Sequence, residues 1–349
     1  MKIVVDDKIP YIRETLAKLA DEVVYLKGSE IKAEDVKDAD ALIVRTRTHC
    51  DERLLKDSKV QFVATATIGY DHLDTTWLEQ NGIEWTNCPG CNSGSVAQYI
   101  ESVLLTLPPS TLHLPPSTLG IVGCGHVGSK VCKVGERLGM RVLVNDPPLE
   151  KDIMSKGHHE KNIHHFVSLE TIEQEADIIT FHVPLDETTH YLADKAFFQR
   201  LKKKPVIINS SRGGVVDEQA LLQALDDGTV SHAVIDTWEN EPDISRTLLY
   251  RTFIGTPHIA GYSADGKVNA DNMVVEALCR HFHLPLPEKI VAPRLPSNFK
   301  YTGHPLELYN AMNDSEKLKT HPELFEELRG NYPLRREFFE RFLEKSIKK

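Results

Sequence analysis

Basic residues are in the minority in this chain: 41 lysines and arginines stand against 51 aspartates and glutamates, a net charge of -10. Nucleic acid and anionic membrane both need a dominant positive field, so neither is expected as the main partner. No apolar run approaches the roughly 20 residues that cross a bilayer, which removes membrane insertion from the expected functions. The opening Met1-Lys2-Ile3-Val4-Val5-Asp6-Asp7 reads directly as a strand and lacks the charged, apolar and small-residue zones of a secretory leader. The six cysteines are scattered, which suits a reducing compartment better than a disulfide framework, and the expected location is the cytoplasm. No low-complexity segment is present. What remains is ordinary globular sequence, 41% hydrophobic and 26% charged over 349 residues. That length is too great for one typical core and suits two domains with an appendage.

Short apolar runs alternate with amphipathic stretches in two series. In residues 1–98 the runs are Ile3-Val4-Val5, Ala41-Leu42-Ile43-Val44 and Phe62-Val63-Ala64-Thr65, the pattern of a parallel βαβ domain. Residues 95–107 read as a long apolar helix, and Pro108-Pro109 and Pro115-Pro116 after it cannot remain helical, so a hinge is expected there. The rhythm restarts at Thr118 and runs to about Gly261. Residues 266–281 read as a second long helix that returns the chain to the first domain. Pro285, Pro287, Pro293 and Pro296 then form a linker before a charged tail in which Leu334, Phe338, Phe339, Phe342 and Leu343 recur at helical spacing. So short a tail has little core of its own, and its stripe is expected to dock on the parent domain or on a second subunit.

Gly123-Cys124-Gly125-His126-Val127-Gly128 follows the strand-like Leu119-Gly120-Ile121-Val122 and precedes an amphipathic stretch. A G-x-G-x-x-G match alone is weak, but a strand before it, a helix after it and an acidic residue downstream make it a dinucleotide turn. The glycines permit a tight turn and close approach of the backbone to a pyrophosphate, which sits on the helix N-terminus. Asp146, ending Arg141-Val142-Leu143-Val144-Asn145, stands at the usual distance for the ribose hydroxyls. Its charge repels an added ribose phosphate, so NAD is expected rather than NADP.

Arg212, Glu241 and His258 each follow a short apolar run that reads as a buried strand, so all three meet at one rim of a parallel sheet, where open α/β sheets bind ligands. Singly, each has a structural reading: a surface ion pair, a turn carboxylate before Pro242, a satisfied core histidine. Together, in a chain that also carries a dinucleotide turn, they suit oxidation of a 2-hydroxy acid. His258 would take the hydroxyl proton, Glu241 would fix its tautomer and strengthen it as a base, and Arg212 would grip the substrate carboxylate bidentately. Asp236, just before Glu241, is expected to face the nicotinamide carboxamide.

These motifs, with Ser211-Arg212-Gly213-Gly214-Val215-Val216-Asp217, Asp236-Thr237-Trp238-Glu239-Asn240-Glu241-Pro242 and Thr256-Pro257-His258-Ile259-Ala260-Gly261-Tyr262, resemble the D-isomer-specific 2-hydroxyacid dehydrogenases over residues 40–280. The resemblance implies an α/β fold: a flavodoxin-like substrate domain (1–98 and 262–285), a Rossmann NAD-binding domain (99–261) and a small C-terminal dimerisation region (286–349). It implies cofactor contacts from Gly123, Gly125, His126, Val127, Gly128, Asp146, Ser211, Asp236 and Gly261. Val44-Arg45-Thr46, the stretch from Ala64 to His72 and Pro89-Gly90-Cys91-Asn92 are similar to members that act on a phosphorylated hydroxy acid. That similarity implies substrate contacts from Thr46, Thr67 and Tyr262, and a homodimer. A phosphate dianion needs more than backbone donors in an acidic protein, so Arg45 is expected to neutralise it, with Arg335 or Arg336 supplied by a second subunit. Thr46 stands where the family has serine, Val183 where it has threonine, and the tail is shorter than the family's usual one.

Two other readings stay open: a dehydrogenase for another phosphorylated hydroxy acid, such as phosphoglycerate, and a non-catalytic NAD-sensing binding protein. Cys88-Pro89-Gly90-Cys91 has redox spacing but suits a tight turn, with no second pair to build a zinc site. His158-His159 and His164-His165 read as connector residues. No metal is expected, since hydride transfer to NAD needs none.

Overall fold

The computed structural model describes residues 1–109, 117–155 and 165–337. Pro115, Pro116, His158, His159, His164, Phe338, Phe339, Phe342 and Leu343 lie outside the described residues. The chain divides into two compact units, Met1–Asn92 with Ser263–Ser297, and Ser93–Tyr262 with Asn298–Lys349.

The first unit is built on five parallel strands, β1 (Lys2–Asp6), β2 (Glu22–Leu26), β3 (Ala41–Val44), β4 (Phe62–Thr65) and β5 (Glu84–Thr86). Their order is β2-β1-β3-β4-β5, the flavodoxin-like arrangement. Successive side chains on a strand point to opposite faces. Ile3, Val5, Ala41, Ile43, Phe62 and Ala64 enter one core, while Val4, Leu42, Val44 and Val63 enter the other. Both faces are covered, which is why these strands read as unbroken apolar runs. Helix Ala264–His281 covers the first face with Ala270, Val274, Val275 and Leu278. It begins two residues before the expected start because the Ser263 hydroxyl accepts from the Gly266 N–H at 2.8 Å and caps it.

The second unit carries β6 (Thr118–Val122), β7 (Arg141–Asn145), β8 (Ile178–Phe181), β9 (Val206–Asn209), β10 (His232–Ile235) and β11 (Ile254–Gly255), all parallel, in the order β11-β10-β9-β8-β6-β7. A single parallel bridge from Phe166 to Val144, on the outer edge of β7, stands in the place of the remaining strand of the Rossmann order. The order reverses between β6 and β8, so the ligand crevice of this sheet lies at their carboxyl ends. Ile121, Ile178, Ile208 and Val234 face one core, and Val122, Ile179, Ile207 and Ile235 face the other. Helix Ser93–Thr106 belongs to this unit and buries Tyr99, Ile100 and Val103. Over its described part the C-terminal stretch packs here too: Tyr309 and Ala311 join one core, Leu318 and Phe325 the other.

Candidate active site

β9, β10 and β11 are neighbours in the sheet, so the residues after them share its carboxyl rim. Arg212 follows β9, where Asn209 Nδ2 donates to its carbonyl at 2.8 Å and its own Nη1 donates to the Ser211 carbonyl at 2.8 Å. Ser211 is buried and donates to Asn209 Oδ1 at 2.9 Å. The next residue must be glycine. A Cβ on Gly213 would stand 2.1 Å from the Trp238 carbonyl oxygen, and that close approach lays the Arg212 loop against the loop after β10.

That second loop delivers Glu241 to His258. His258 Nδ1 lies 2.8 Å from Glu241 Oε2 and 3.0 Å from Oε1, while the Trp238 N–H donates to Oε1 at 3.0 Å. Burial opposes the charged form of Glu241. The bond and charge of His258, the Trp238 amide and the Arg329 guanidinium outweigh it and hold the carboxyl below its ordinary value. An ionised carboxylate accepts only, so in the neutral ring Nδ1 carries the proton and Nε2 is left as an acceptor. His258 sits at φ +55, a left-handed conformation that costs a non-glycine residue on the order of 1–3 kcal/mol.

The surrounding structure overrides that cost. The His258 N–H donates to the Asp236 carbonyl at 2.8 Å. The Asp236 carboxylate is 1% exposed, and its Oδ1 accepts from Thr256 Oγ1 at 2.6 Å and the Ile259 N–H at 2.8 Å, while Oδ2 accepts from the Ala260 N–H at 2.9 Å. Asp236 thus also binds the underside of the His258 loop. Tyr99 bonds Thr256 from helix Ser93–Thr106 at 2.9 Å. Arg335 is 4% exposed and directs Nη1 to the Ile259 and Ala260 carbonyls, Nη2 to the Ser95 carbonyl and Nε to Gln98, with its guanidinium 3.6 Å from the Tyr309 ring centre. Four of its five N–H donors are engaged inside the protein, so of the two tail arginines Arg336, whose carbonyl accepts from Gln98 at 2.9 Å, is the better phosphate candidate.

Arg329, on helix Phe325–Gly330, is a residue that sequence reasoning passed over. Its Nη1 lies 3.8 Å from Glu241 Oε2, and its Nε donates to the Tyr262 hydroxyl at 3.1 Å. Nothing in the local sequence marks it: the charged tail reads as a solvated helix face.

The glycine turn fits a dinucleotide. Gly123 has φ +89, and a Cβ there would meet the His182 carbonyl oxygen at 2.6 Å. A Cβ on Gly128 would meet the Gly123 carbonyl oxygen at 2.0 Å, so that glycine serves helix-to-strand packing. Gly125 has nothing within 4 Å of such an atom, the open space over which a pyrophosphate can lie on the backbone. Helix Gly128–Arg137 starts directly after His126 and Val127, aiming its N-terminus at that space. Asp146 closes β7, accepting from the Cys124 N–H at 2.7 Å and the Leu149 N–H at 3.0 Å, and keeps lone pairs for ribose hydroxyls. Gly261 lies beside Ala260 in the His258 loop.

Arg45, Thr46 and Thr67 are in the first unit. Arg45 Nη1 donates to the Lys8 carbonyl at 3.3 Å, and Thr46 is exposed. Burial pushes His72 down to about 4, so its ring is neutral. Its Nε2 lies 3.0 Å from Thr65 Oγ1, which lies 2.6 Å from Thr67 Oγ1, and Thr67 in turn donates to the Gly69 carbonyl at 2.9 Å. Cys88 shares its thiol between the Thr65 and Ala270 carbonyls at 3.4 Å, the contacts of a packed thiol rather than a redox centre. Among the described residues no cluster of His, Cys, Asp and Glu suits a metal ion.

Residues 107–260 match the family described as D-isomer specific 2-hydroxyacid dehydrogenase, NAD binding domain. The chain is 54% identical to the erythronate-4-phosphate dehydrogenase of Bacteroides thetaiotaomicron over 347 residues, 97% of each chain. It is 40% identical to the enzyme of the same name from Edwardsiella ictaluri, covering 97% of this chain and 93% of that one. A solved structure of D-lactate dehydrogenase from Aquifex aeolicus, complexed with NAD and lactic acid, aligns at a TM-score of 0.66 with 24% identity, over 81% of this chain and 96% of that one, a likeness of fold.

Proposed function

From the premise that this chain belongs to the D-isomer-specific 2-hydroxyacid dehydrogenases, we propose that it oxidises 4-phospho-D-erythronate to 2-oxo-3-hydroxy-4-phosphobutanoate, a step of pyridoxal 5'-phosphate biosynthesis. The observation that carries this reading is the Glu241–His258 pair at 2.8 Å on the carboxyl rim of the dinucleotide-binding sheet. NAD, held by the glycine turn and Asp146, supplies the hydride acceptor when bound. His258 Nε2 takes the C2 hydroxyl proton as the C2 hydride departs, and Glu241 stabilises the imidazolium that forms. Arg212 grips the substrate carboxylate and draws charge toward the forming carbonyl. Ser211, Asp236 and Gly261 flank the cofactor. Arg45, Thr46, Thr67, Tyr262 and Arg336 are assigned to the rest of the substrate, with the arginines meeting the phosphate. Among the described residues no helix is long and apolar enough to cross a membrane. A cytoplasmic homodimer is the assembly and place that suit this role.

The test is a coupled assay with 4-phospho-D-erythronate, D-3-phosphoglycerate and D-lactate, on the native chain and His258→Ala. Turnover is expected for the first substrate, with kcat reduced about 100- to 10,000-fold by the substitution. Turnover of phosphoglycerate alone keeps the mechanism and overturns the substrate. No turnover of any hydroxy acid, nor of 2-oxo acids with NADH, overturns the enzyme reading.

A further inference from the structure

We propose that Arg329 is a positioning residue of the catalytic pair: its guanidinium spans from Glu241 to the Tyr262 hydroxyl and brackets the loop that carries His258. The proposal rests on the reading of Glu241 and His258 as the pair that moves the proton. It goes beyond that reading by giving the C-terminal segment a part in the chemistry, within the same chain.

Three observations converge. Glu241 Oε2, the oxygen 2.8 Å from His258 Nδ1, is also the oxygen that Arg329 Nη1 approaches to 3.8 Å. That distance is too long for a hydrogen bond, so the guanidinium acts there through its charge. The other end of the fork is a hydrogen bond, Nε to the Tyr262 hydroxyl at 3.1 Å, with the guanidinium 6.0 Å from the Tyr262 ring centre. Finally, the side chains of Arg329 and Glu241 are only 22% and 18% exposed, so solvent screens this pair less than a surface ion pair. A planar guanidinium holds its charge toward Glu241 with one nitrogen while another hydrogen-bonds Tyr262. A lysine, with its donors on one nitrogen, cannot.

The ionisable groups that face Glu241 come from every element around it. His258 lies on the loop after β11, Arg329 on helix Phe325–Gly330 with Glu326 3.6 Å from it, Glu218 at the start of helix Glu218–Asp226, and Glu239 on Glu241's own loop. Burial opposes the charge of Glu241, and Glu241 in turn raises the Glu218 carboxyl. Arg329 favours that charge, and it is a cation that a distant part of the chain brings to the pair.

The experiment compares Arg329→Met and Arg329→Lys with the native full-length chain. Carbon-13 NMR titration of the Glu241 carboxyl, without substrate, is expected to move up by about one pH unit in Arg329→Met. The acid limb of the kcat/KM profile for 4-phospho-D-erythronate moves the same way. kcat falls roughly tenfold while KM changes little, and the loss largely disappears in a Glu241→Gln background, because the two residues act as a unit. A folded Arg329→Met with the Glu241 midpoint unmoved overturns the proposal. So does an equal loss of kcat in the Glu241→Gln background. If Arg329→Met does not fold, Arg329→Lys decides: it keeps the charge and loses the fork, so a native kcat in that variant overturns the bracket and a reduced kcat with the Glu241 midpoint held supports it. If the native chain oxidises no hydroxy acid, the dehydrogenase reading fails by itself. The NMR titration, which needs no substrate, still decides what Arg329 does to Glu241.

Discussion

Two loops at the carboxyl rim of one sheet, residues 123–128 and 256–262, are built in opposite ways. The glycine turn is made mostly by neighbours: its constraints are a positive φ, a carbonyl 2.0 Å from a missing Cβ and an open space, with more distant contacts to His182 and to the end of β7 at Asn145 and Asp146. The His258 loop is held from far along the chain. Thr256 is bonded by Tyr99, 157 residues away, and the Ile259 and Ala260 carbonyls by Arg335, 76 and 75 residues away. The difference teaches where a short motif suffices. A cofactor met by backbone N–H groups and a helix end needs only local geometry. A base that must hold one tautomer in a strained conformation needs side chains that over-determine it.

The comparison breaks most sharply at Arg335. Arg335→Met removes the buried guanidinium that donates to carbonyls of both the His258 loop and helix Ser93–Thr106 and to Gln98, and a stability loss of about 3–5 kcal/mol is expected in urea unfolding. A loss below about 1 kcal/mol would show the loop to be as locally determined as the glycine turn.

Glu218 gives the next effect. Its carboxylate accepts from the Glu239 N–H at 2.9 Å while Glu239 accepts from the Glu218 N–H at 3.0 Å, tying helix Glu218–Asp226 to the loop that carries Glu241. Burial pushes the Glu218 carboxyl up from 4.5 to about 7, with the neighbouring carboxylates adding to it. A folded state that holds a proton more tightly than the unfolded chain loses stability as pH rises from about 4.5 through about 7, here by about 3 kcal/mol. Glu218→Gln keeps an acceptor for Glu239 and removes that slope. Unfolding midpoints at pH 5 and pH 8 measure it, and an unchanged slope in the variant sinks the assignment.

The smallest pair of effects separates the glycines. Gly128→Ala forces a Cβ onto the Gly123 carbonyl and is expected to cost about 1–3 kcal/mol. Gly125→Ala meets nothing in the protein, so stability should hold within about 0.5 kcal/mol while NAD binding, followed by calorimetry, weakens. Equal stability losses in the two would erase the distinction between packing glycine and ligand-facing glycine.

How much was legible follows the same division. The strands β1, β3 and β4, and the placing of Arg212, Glu241 and His258 after strands that prove to be neighbours, were legible in short apolar runs and local motifs. Asp236 shows the limit. A carboxylate just past a strand end can also brace the next loop, and only the packed loop shows it; here Thr256, Ile259 and Ala260 donate to Asp236. Arg335 was read among phosphate ligands because an arginine in a charged tail looks solvated. Its burial depends on Tyr309 and Gln98, which sequence distance hides.

By itself, then, the sequence determined the apolar runs that form the central strands, the dinucleotide turn and the placing of His258 just after a strand, because each is written in residues that touch their near neighbours. Only the tertiary structure decided what holds that histidine in place. Arg329, Arg335 and Tyr99 act through charge and hydrogen bonds to groups far along the chain, and such contacts leave no periodicity for a sequence to show.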